Sequence, residues 1–164
     1  TQMNLTTPSD EQTLRSSLCS LVIAARSEAV SAHFGQKRKY TGQPYIIHCA
    51  SVAAMVEFAG LPEEAVCAAW LHDTVEDTET TIENIESKFG YEVSRIVKYC
   101  TQVSTKSDGN RATRKSLDIA NYQKGCTLSQ SIKVADMLDN VPSIVAFDPD
   151  FGKVYVKEKS ELLD

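Results

Sequence analysis

One short segment, LHDTVED, combines an imidazole with three carboxylates, and these side chains are His72, Asp73, Glu76 and Asp77. On a helix they would form two pairs four residues apart, which share one face with Cβ atoms about 5–6 Å apart. An imidazole and a carboxylate together suit a divalent metal ion, and an adjacent acidic pair could position or deprotonate a water molecule. A solvated acidic face is the alternative, but the preceding AVCAAWL is too apolar for a fully exposed helix.

Two ligands do not complete a metal site, so further candidates must come from elsewhere in the chain. The remaining histidines are His33, which ends the first long predicted helix, and His48, which lies on an apolar helix and is expected to be a hydrogen-bonded core residue. Asp136 lies among apolar residues in SIKVADMLDN, and a carboxylate buried there needs a positive partner because burying it alone is costly. A metal ion would provide that partner, and a salt bridge to a nearby lysine or arginine is the alternative.

The elements that must position these residues are predicted to be helices throughout. Apolar residues recur at helical spacing, Ser9 is a plausible N-cap of the first helix, and Pro44 and Pro62 can each start a helix. The predicted helices cover residues 9–34, 45–59, 62–77, 80–90, 91–103, 111–122 and 128–147. Nothing resembles a set of alternating strands, and Asp148-Pro149 is expected to end the last of these helices. The sequence therefore predicts an all-α fold.

Length and composition bound the class of protein. A chain of 164 residues is most simply one domain, spanning 1–164. The net charge of −5 argues weakly against a general nucleic-acid surface, and no apolar stretch approaches the roughly 20 residues that span a bilayer. The N-terminus lacks the pattern of a secretory signal. Five scattered cysteines without a CxxC pair indicate reduced thiols in a cytoplasmic protein, namely Cys19, Cys49, Cys67, Cys100 and Cys126.

The chain resembles a known family in the order of its candidate ligands. His33, then His72-Asp73, then Asp136 looks like the HD-domain metal-dependent phosphohydrolases. Four segments resemble the hydrolase domain of RelA/SpoT proteins more narrowly: AHFGQKRKYTGQPYIIH, AAWLHDTVEDT, FGYEV and IKVADMLDN. They run in order from about residue 20 to 145. The compact spacing from Arg114 to Asp136 is most similar to stand-alone small alarmone hydrolases, a group that includes metazoan SpoT-like enzymes.

This resemblance implies a compact HD-domain helical bundle around a central Mn²⁺. The implied ligands are two histidines and two aspartates, namely His33, His72, Asp73 and Asp136. Glu76 and Asp77 would activate and orient the attacking water. The substrate would be guanosine tetra- or pentaphosphate (ppGpp or pppGpp), and removal of its 3′-pyrophosphate would convert ppGpp to GDP and pyrophosphate.

Basic residues are available to offset the repulsion between these acids and a polyphosphate. The first cluster follows His33 and comprises Lys37, Arg38 and Lys39. In the family, the residues corresponding to Arg38 and Lys39 line the nucleotide pocket, where an arginine can stack on the base. The second cluster lies where short family members present phosphate-binding cations, although a charged helix face explains it equally well; it comprises Arg111, Arg114 and Lys115. Asn140 matches a family asparagine near the ribose and base.

The chain departs from the family in the segment that usually resembles AD-R-L-H-N. Met137 and Asp139 replace two potentially basic or polar groups, which leaves the preferred purine open. The competing hypotheses are therefore a hydrolase of ppApp, a hydrolase of another 3′-phosphorylated nucleotide such as NADPH, and a catalytically silent alarmone sensor. A helix after the last motif is expected to be short or absent.

Overall fold

The computed structural model describes the backbone of residues 8–163 and the side chains of Gln12 and residues 20–160. Within that part the chain is helical, and extended pairing is limited to one isolated antiparallel bridge between Lys37 and Pro44. The prediction of an all-α fold is confirmed. The α-helices are α1 Pro8–Ala32, α2 Ile46–Phe58, α3 Glu63–Leu71, α4 Thr74–Asp77, α5 Ile82–Phe89, α6 Tyr91–Cys100, α7 Arg111–Gln123, α8 Thr127–Phe147 and α9 Pro149–Leu163. The predicted side-chain roles of Ser9 and Cys19 fall outside the described side chains.

Helix α3 forms the centre of the core. Its sequence EEAVCAAWL is apolar on almost every face after the first turn, and a helix that is hydrophobic all round must be buried. It packs against α1, α2, α6 and α8. Its three alanines, Ala65, Ala68 and Ala69, are fully buried, and such small side chains let the surrounding helices approach closely. The end of α3 is therefore held rigidly in the middle of the molecule.

The predicted helix over 62–77 is wrong in one respect, because it is interrupted at the His72-Asp73 pair. Helix α3 ends at Leu71 and α4 begins at Thr74. Asp73 has φ −102° and ψ −3°, close to the sparsely populated bridge region. The buried Thr74 hydroxyl stabilises the break by donating to the Leu71 carbonyl at 2.7 Å. The buried pair His72 and Asp73 thus lies at a helix junction, where it faces groups from α2 and α8.

A helix follows the last predicted one, which corrects the expectation that it is short or absent. Helix α9 has 15 residues, and it packs on α7 and α8. Pro149 ends α8 but also opens α9, since proline is well tolerated in a first helical turn. No helix between residues 8 and 163 is long and apolar enough to cross a membrane. The position of α9 matters because it closes one side of the cavity described below.

Candidate metal centre and active site

Four side chains from three parts of the fold meet in the core. His48 comes from α2, His72 and Asp73 come from the junction between α3 and α4, and Asp136 comes from α8. One ligand atom from each lies within 4.8 Å of those of the other three. All four residues are buried, with at most 8% of any one exposed. Two imidazole nitrogens and two carboxylate oxygens in this arrangement could hold a divalent metal ion.

His33, which was predicted to be a ligand, lies outside this cluster. His48 occupies the position that was expected for His33. His33 lies just beyond α1, where its Nδ1 is 2.6 Å from Oε1 of Gln36. The expectation that His48 is a hydrogen-bonded core residue is correct as far as it goes, because its Nδ1 is 2.6 Å from Oδ2 of Asp139. The sequence did contain an indication of this role. The imidazole of His48 lies on the apolar face of α2, and a buried polar ring needs a partner for the same reason as the Asp136 carboxylate.

Both histidines of the cluster direct their Nε2 atoms towards the carboxylates. His72 Nδ1 lies 2.7 Å from the Ala69 carbonyl, which can only accept, so Nδ1 carries the proton. The same reasoning applies to His48, whose Nδ1 donates to the Asp139 carboxylate. A neutral ring in either place therefore presents an unprotonated Nε2 to the cluster.

These Nε2 atoms provide the test of whether a metal ion fits. His48 Nε2 lies 3.3 Å from Asp73 Oδ2 and 3.2 Å from Asp136 Oδ1, and His72 Nε2 lies 3.1 Å from Asp73 Oδ2. Neither Nε2 forms a hydrogen bond with acceptable geometry. Neutral imidazoles would thus place lone pairs against carboxylate oxygens in a buried site, which is unfavourable. A divalent cation among the four atoms removes this conflict, so the residues fit such an ion.

The ionisation of the cluster reflects the same excess of negative charge. Burial lowers the pKa of His48, but the carboxylates of Asp136 and Asp73 outweigh it and raise the pKa to about 10. Burial alone would raise the pKa of Asp136, yet the Lys133 ammonium and the histidines bring it well below its usual range. Lys133 supplies one positive charge, so without a bound cation at least one histidine would have to be protonated to balance the two acids.

The alternative considered for Asp136, a salt bridge to lysine, is also present. The buried Lys133 ammonium lies 2.8 Å from Asp136 Oδ2, while Oδ1 faces His48 and accepts a 2.6 Å hydrogen bond from Asn140. Two carboxylates against one ammonium still leave one buried negative charge. The salt bridge to Lys133 therefore balances only part of the buried negative charge, and it is compatible with a cation bound at the same site.

A cavity of about 170 Å³ opens beside the cluster. Its lining includes Asp73, Asp136 and Glu76, together with three lysines. Part of Glu76 is exposed, and its carboxylate accepts hydrogen bonds from the side chain and the backbone N–H of Gln102. Loss of hydration, followed by repulsion from Asp73, raises the pKa of Glu76. A carboxyl group with a raised pKa beside a metal site is suited to accept a proton from water.

The second acid of the predicted catalytic pair lies in a different place. Asp77 lines a different groove of about 660 Å³, together with Phe34 and Thr80. Its Oδ2 accepts a 2.9 Å hydrogen bond from Nε2 of Gln36. The structure thus divides Glu76 and Asp77 between the cavity and the groove, although both follow the same helix break.

The predicted basic residues are distributed unequally. Arg38 and Lys39 line a second cavity of about 200 Å³, and Lys115 lines the first. Three predicted cations line neither cavity, namely Lys37, Arg111 and Arg114. Arg111 instead donates two hydrogen bonds to Glu158, at 2.7 and 2.8 Å. Asn140 and Tyr45 line both cavities, so the two chambers adjoin.

Helix α9 supplies site residues that the sequence analysis missed. Tyr155 and Lys159 line the first cavity beside Lys115 and Lys133. Burial, and then repulsion from Lys133, lowers the pKa of Lys159 to about 8. Among the side chains that the structure describes, none forms a salt bridge or hydrogen bond with the Lys159 ammonium. Three lysines around a small cavity make it a suitable site for a polyanion.

Asp139, which was expected to be only the loss of a basic or polar group, links the histidine cluster to the arginine of the second cavity. Its Oδ2 accepts a hydrogen bond from His48 at 2.6 Å and another from Arg38 at 3.1 Å. Arg38 also donates to Asn140 Oδ1 at 2.7 Å. Asp139 therefore fixes the orientation of a candidate ligand and of an arginine in the second cavity.

We expect Asp139→Ala to weaken the binding of a divalent metal ion about 10- to 100-fold, because partners that orient a ligating histidine typically contribute that much to metal affinity. Electron paramagnetic resonance of free Mn²⁺ during titration measures the effect. Asp150→Ala is the matched control, since the Asp150 side chain is 96% exposed and forms an ion pair with the exposed Lys153. An affinity of Asp139→Ala equal to that of the control would show that the Asp139 contact is dispensable.

Comparisons with known proteins agree with this geometry. The family described as HD domain matches residues 24–155. The Xenopus tropicalis protein named guanosine-3′,5′-bis(diphosphate) 3′-pyrophosphohydrolase MESH1 is 36% identical over 138 residues, which cover 82% of this chain and 75% of that protein. A protein of Aquifex aeolicus with the same enzyme name is 36% identical over 140 residues, which cover 82% of this chain. The match is only 19% of the Aquifex protein, so the chain spans about a fifth of that relative.

Two solved structures are also similar to this chain. A metazoan ortholog of SpoT, described as hydrolysing ppGpp with a role in starvation responses, superposes with a TM-score of 0.75 and 29% identity. That match covers 87% of this chain and 85% of the ortholog. The lmo0812 protein of Listeria monocytogenes superposes with a TM-score of 0.59 and 35% identity, covering 73% of this chain and 80% of the other. The resemblance inferred from the four ordered segments is confirmed.

Proposed function

The chain belongs to the HD-domain family, in its RelA/SpoT branch, and on this premise we propose that it hydrolyses the 3′-pyrophosphate of ppGpp-like nucleotides, yielding GDP and pyrophosphate from ppGpp. The observation that carries the proposal is the cluster of His48, His72, Asp73 and Asp136 beside a cavity lined by three lysines. A cation site next to a polyanion site is what metal-assisted hydrolysis of a pyrophosphate requires. The name of the Xenopus relative supports the choice of substrate.

The proposed cofactor is Mn²⁺, held by His48, His72, Asp73 and Asp136. Imidazole and carboxylate ligands together suit a divalent ion of intermediate preference. When bound, such an ion polarises a phosphoryl oxygen and lowers the pKa of water. The chain prepares the site through Ala69 and Asp139, whose oxygens hold the two imidazoles with Nε2 facing inwards.

Glu76 is proposed to accept the proton of the attacking water. Its raised pKa brings the carboxyl group closer to the pH at which it can exchange a proton. Gln102 donates to it through the amide side chain and the backbone, and this fixes the orientation of the carboxylate. Asp77, which follows Glu76 at the end of α4, is proposed to assist in orienting the water.

The two adjoining cavities are proposed to divide the substrate. Lys115, Lys133 and Lys159 would offset the charge of the 3′-pyrophosphate in the first cavity. Arg38, Lys39 and Asn140 would contact the nucleoside in the second, where the Arg38 guanidinium could stack on a base. Because Asn140 and Tyr45 line both cavities, a ligand could occupy both at once.

We expect Lys159→Met to raise the KM for ppGpp about tenfold at pH 7, because a hydrogen bond to a charged group contributes roughly 1.5–3 kcal/mol. The pKa of Lys159 is about 8, so the ammonium is present below that pH and lost above it. The kcat/KM of the wild type should therefore fall above about pH 8, and the fall should be smaller in Lys159→Met. Lys157→Met, an exposed change on the same helix, is the control. Equal KM values for the two variants would contradict the assignment.

A nucleotide panel tests the proposal against its competitors. Purified protein with Mn²⁺ is assayed on ppGpp, pppGpp, ppApp and NADPH, with products separated by anion-exchange chromatography. Release of pyrophosphate from ppGpp is the expected result. Turnover confined to ppApp or NADPH would assign another 3′-phosphorylated nucleotide, and tight binding of ppGpp without turnover of any nucleotide would indicate a sensor.

A further inference from the structure

His33 has no place in the metal cluster, yet it is one of the most buried polar residues of the chain, at 3% exposure. Its Nδ1 lies 2.6 Å from Gln36 Oε1, and Gln36 Nε2 donates to Asp77 Oδ2 at 2.9 Å. These two contacts connect the end of α1 with α4. We propose that His33 is a positioning residue that acts through Gln36 to hold the Asp77 carboxylate in its working orientation. The proposal rests on the proposed function, in which Asp77 orients the water.

The chemistry of the three groups fixes the direction of the chain of hydrogen bonds. A carboxylate can only accept, so the amide nitrogen of Gln36 must face Asp77 and the amide oxygen must face His33. His33 Nδ1 must then carry the proton and donate. With the amide turned the other way, its oxygen would oppose the Asp77 carboxylate. Each group therefore selects the orientation of the next.

The backbone around Gln36 is anchored at both ends. Its N–H donates to the His33 carbonyl at 3.0 Å, and its carbonyl accepts from the Tyr45 N–H at 2.9 Å. The His33 and Tyr45 rings pack with centroids 4.9 Å apart, and the Tyr45 hydroxyl donates to Asp73 Oδ2 at 2.7 Å. The buried ring of His33 thus supports both aspartates of the LHDTVED segment, one through Gln36 and one through Tyr45.

Asp77 needs such support because of its location. It is the last residue of α4, a helix of four residues, and Thr78 is already extended with φ −134° and ψ −177°. Its side chain is exposed to the groove. Packing alone does not select one rotamer at such a position, so the hydrogen bond from Gln36 does. Removing the donor would leave the backbone in place and free the carboxylate to rotate.

The experiment compares three variants on ppGpp with Mn²⁺. His33→Leu and Gln36→Leu should each lower kcat about tenfold, as loss of an orienting contact does, with KM changed less than twofold. His33→Asn should recover most of the activity, because its amide N–H can replace the Nδ1 donor. In an Asp77→Asn background, His33→Leu should cause little further loss, since residues that act through one contact are not additive.

Two readouts separate this role from its alternatives. Mn²⁺ affinity, measured by electron paramagnetic resonance, should stay within twofold of wild type in all variants, because leucine can keep the packing against Tyr45; its loss in His33→Leu would mean that His33 acts on the metal site, directly or through Tyr45 and Asp73, and would overturn the proposal. Full additivity with Asp77→Asn would also overturn it. Nitrogen-15 NMR of the wild type should show His33 protonated at Nδ1, whereas protonation at Nε2 alone would contradict the hydrogen-bond chain. An inert wild type with the Nδ1 tautomer would count against the proposed function and leave the Gln36–Asp77 connection supported.

Discussion

Asp73→Asn should lower the turnover of ppGpp by about a thousandfold or more and abolish tight Mn²⁺ binding. Oδ2 of Asp73 lies 3.3 Å from His48 Nε2 and 3.1 Å from His72 Nε2, so a single carboxylate oxygen is close to both candidate imidazole ligands. A catalytic metal ion contributes several kcal/mol of transition-state stabilisation, and about 1.4 kcal/mol corresponds to a factor of ten in rate. Removing one carboxylate from the cluster removes most of this contribution.

The choice of asparagine separates chemistry from folding. Its side-chain oxygen can still accept the hydrogen bond that Tyr45 donates to Asp73 at 2.7 Å. In the metal-free protein, His72, His48 and Lys133 stabilise the ionised Asp73 carboxylate and hold its pKa well below the ordinary range. We therefore expect the metal-free variant to melt below the metal-free wild type but to keep the same helical circular-dichroism spectrum at 25 °C. Unchanged Mn²⁺ affinity would contradict the assignment of Asp73 as a ligand.

Glu76→Gln should lower kcat about 10²- to 10⁴-fold while Mn²⁺ affinity changes less than about threefold. That range is typical for removal of a general base. Glutamine can keep the hydrogen bond from Gln102 but cannot take a proton from water. Since a general base must be ionised, wild-type kcat/KM should fall as the pH drops and Glu76 is protonated, and the variant should lack this acid limb.

The control for this change is Glu86→Gln, on the exposed face of α5, which should leave kcat and the pH profile unaltered. Electron paramagnetic resonance of Mn²⁺ and single-turnover assays on ppGpp give the two measurements separately. If Glu76→Gln lost metal and activity in equal proportion, Glu76 would be a metal ligand and the base would have to be found elsewhere.

Local chemistry was enough to select His72, Asp73 and Asp136 from the sequence. Each is a polar residue in an apolar helical segment, and such residues need a partner that the segment itself does not supply. The choice between His33 and His48 could not be made from order alone, because both flank the same basic loop. The crossing of α1 and α2 decides which ring reaches the cluster, and that crossing is a property of packing.

Hydrophobic periodicity could not predict three other features of the structure, each for a physical reason. The apolar pattern of AVCAAWL continues into the LHDTVED segment, so the break at Asp73 leaves no trace in the spacing. Pro149 was interpreted as a stop, although proline also suits the first turn of a new helix. Lys159 is one of two lysines in VKEKSELL, and the packing of α9 on α7 and α8 brings it to the cavity.

The most direct test of the central claim is phosphorus-31 NMR of ppGpp incubated with the purified protein and Mn²⁺. We predict equimolar GDP and pyrophosphate, no release of orthophosphate, complete arrest by a chelator, and recovery when Mn²⁺ is added back. Release of orthophosphate, turnover that persists in the chelator, or unchanged ppGpp in the presence of protein with bound Mn²⁺ would contradict it.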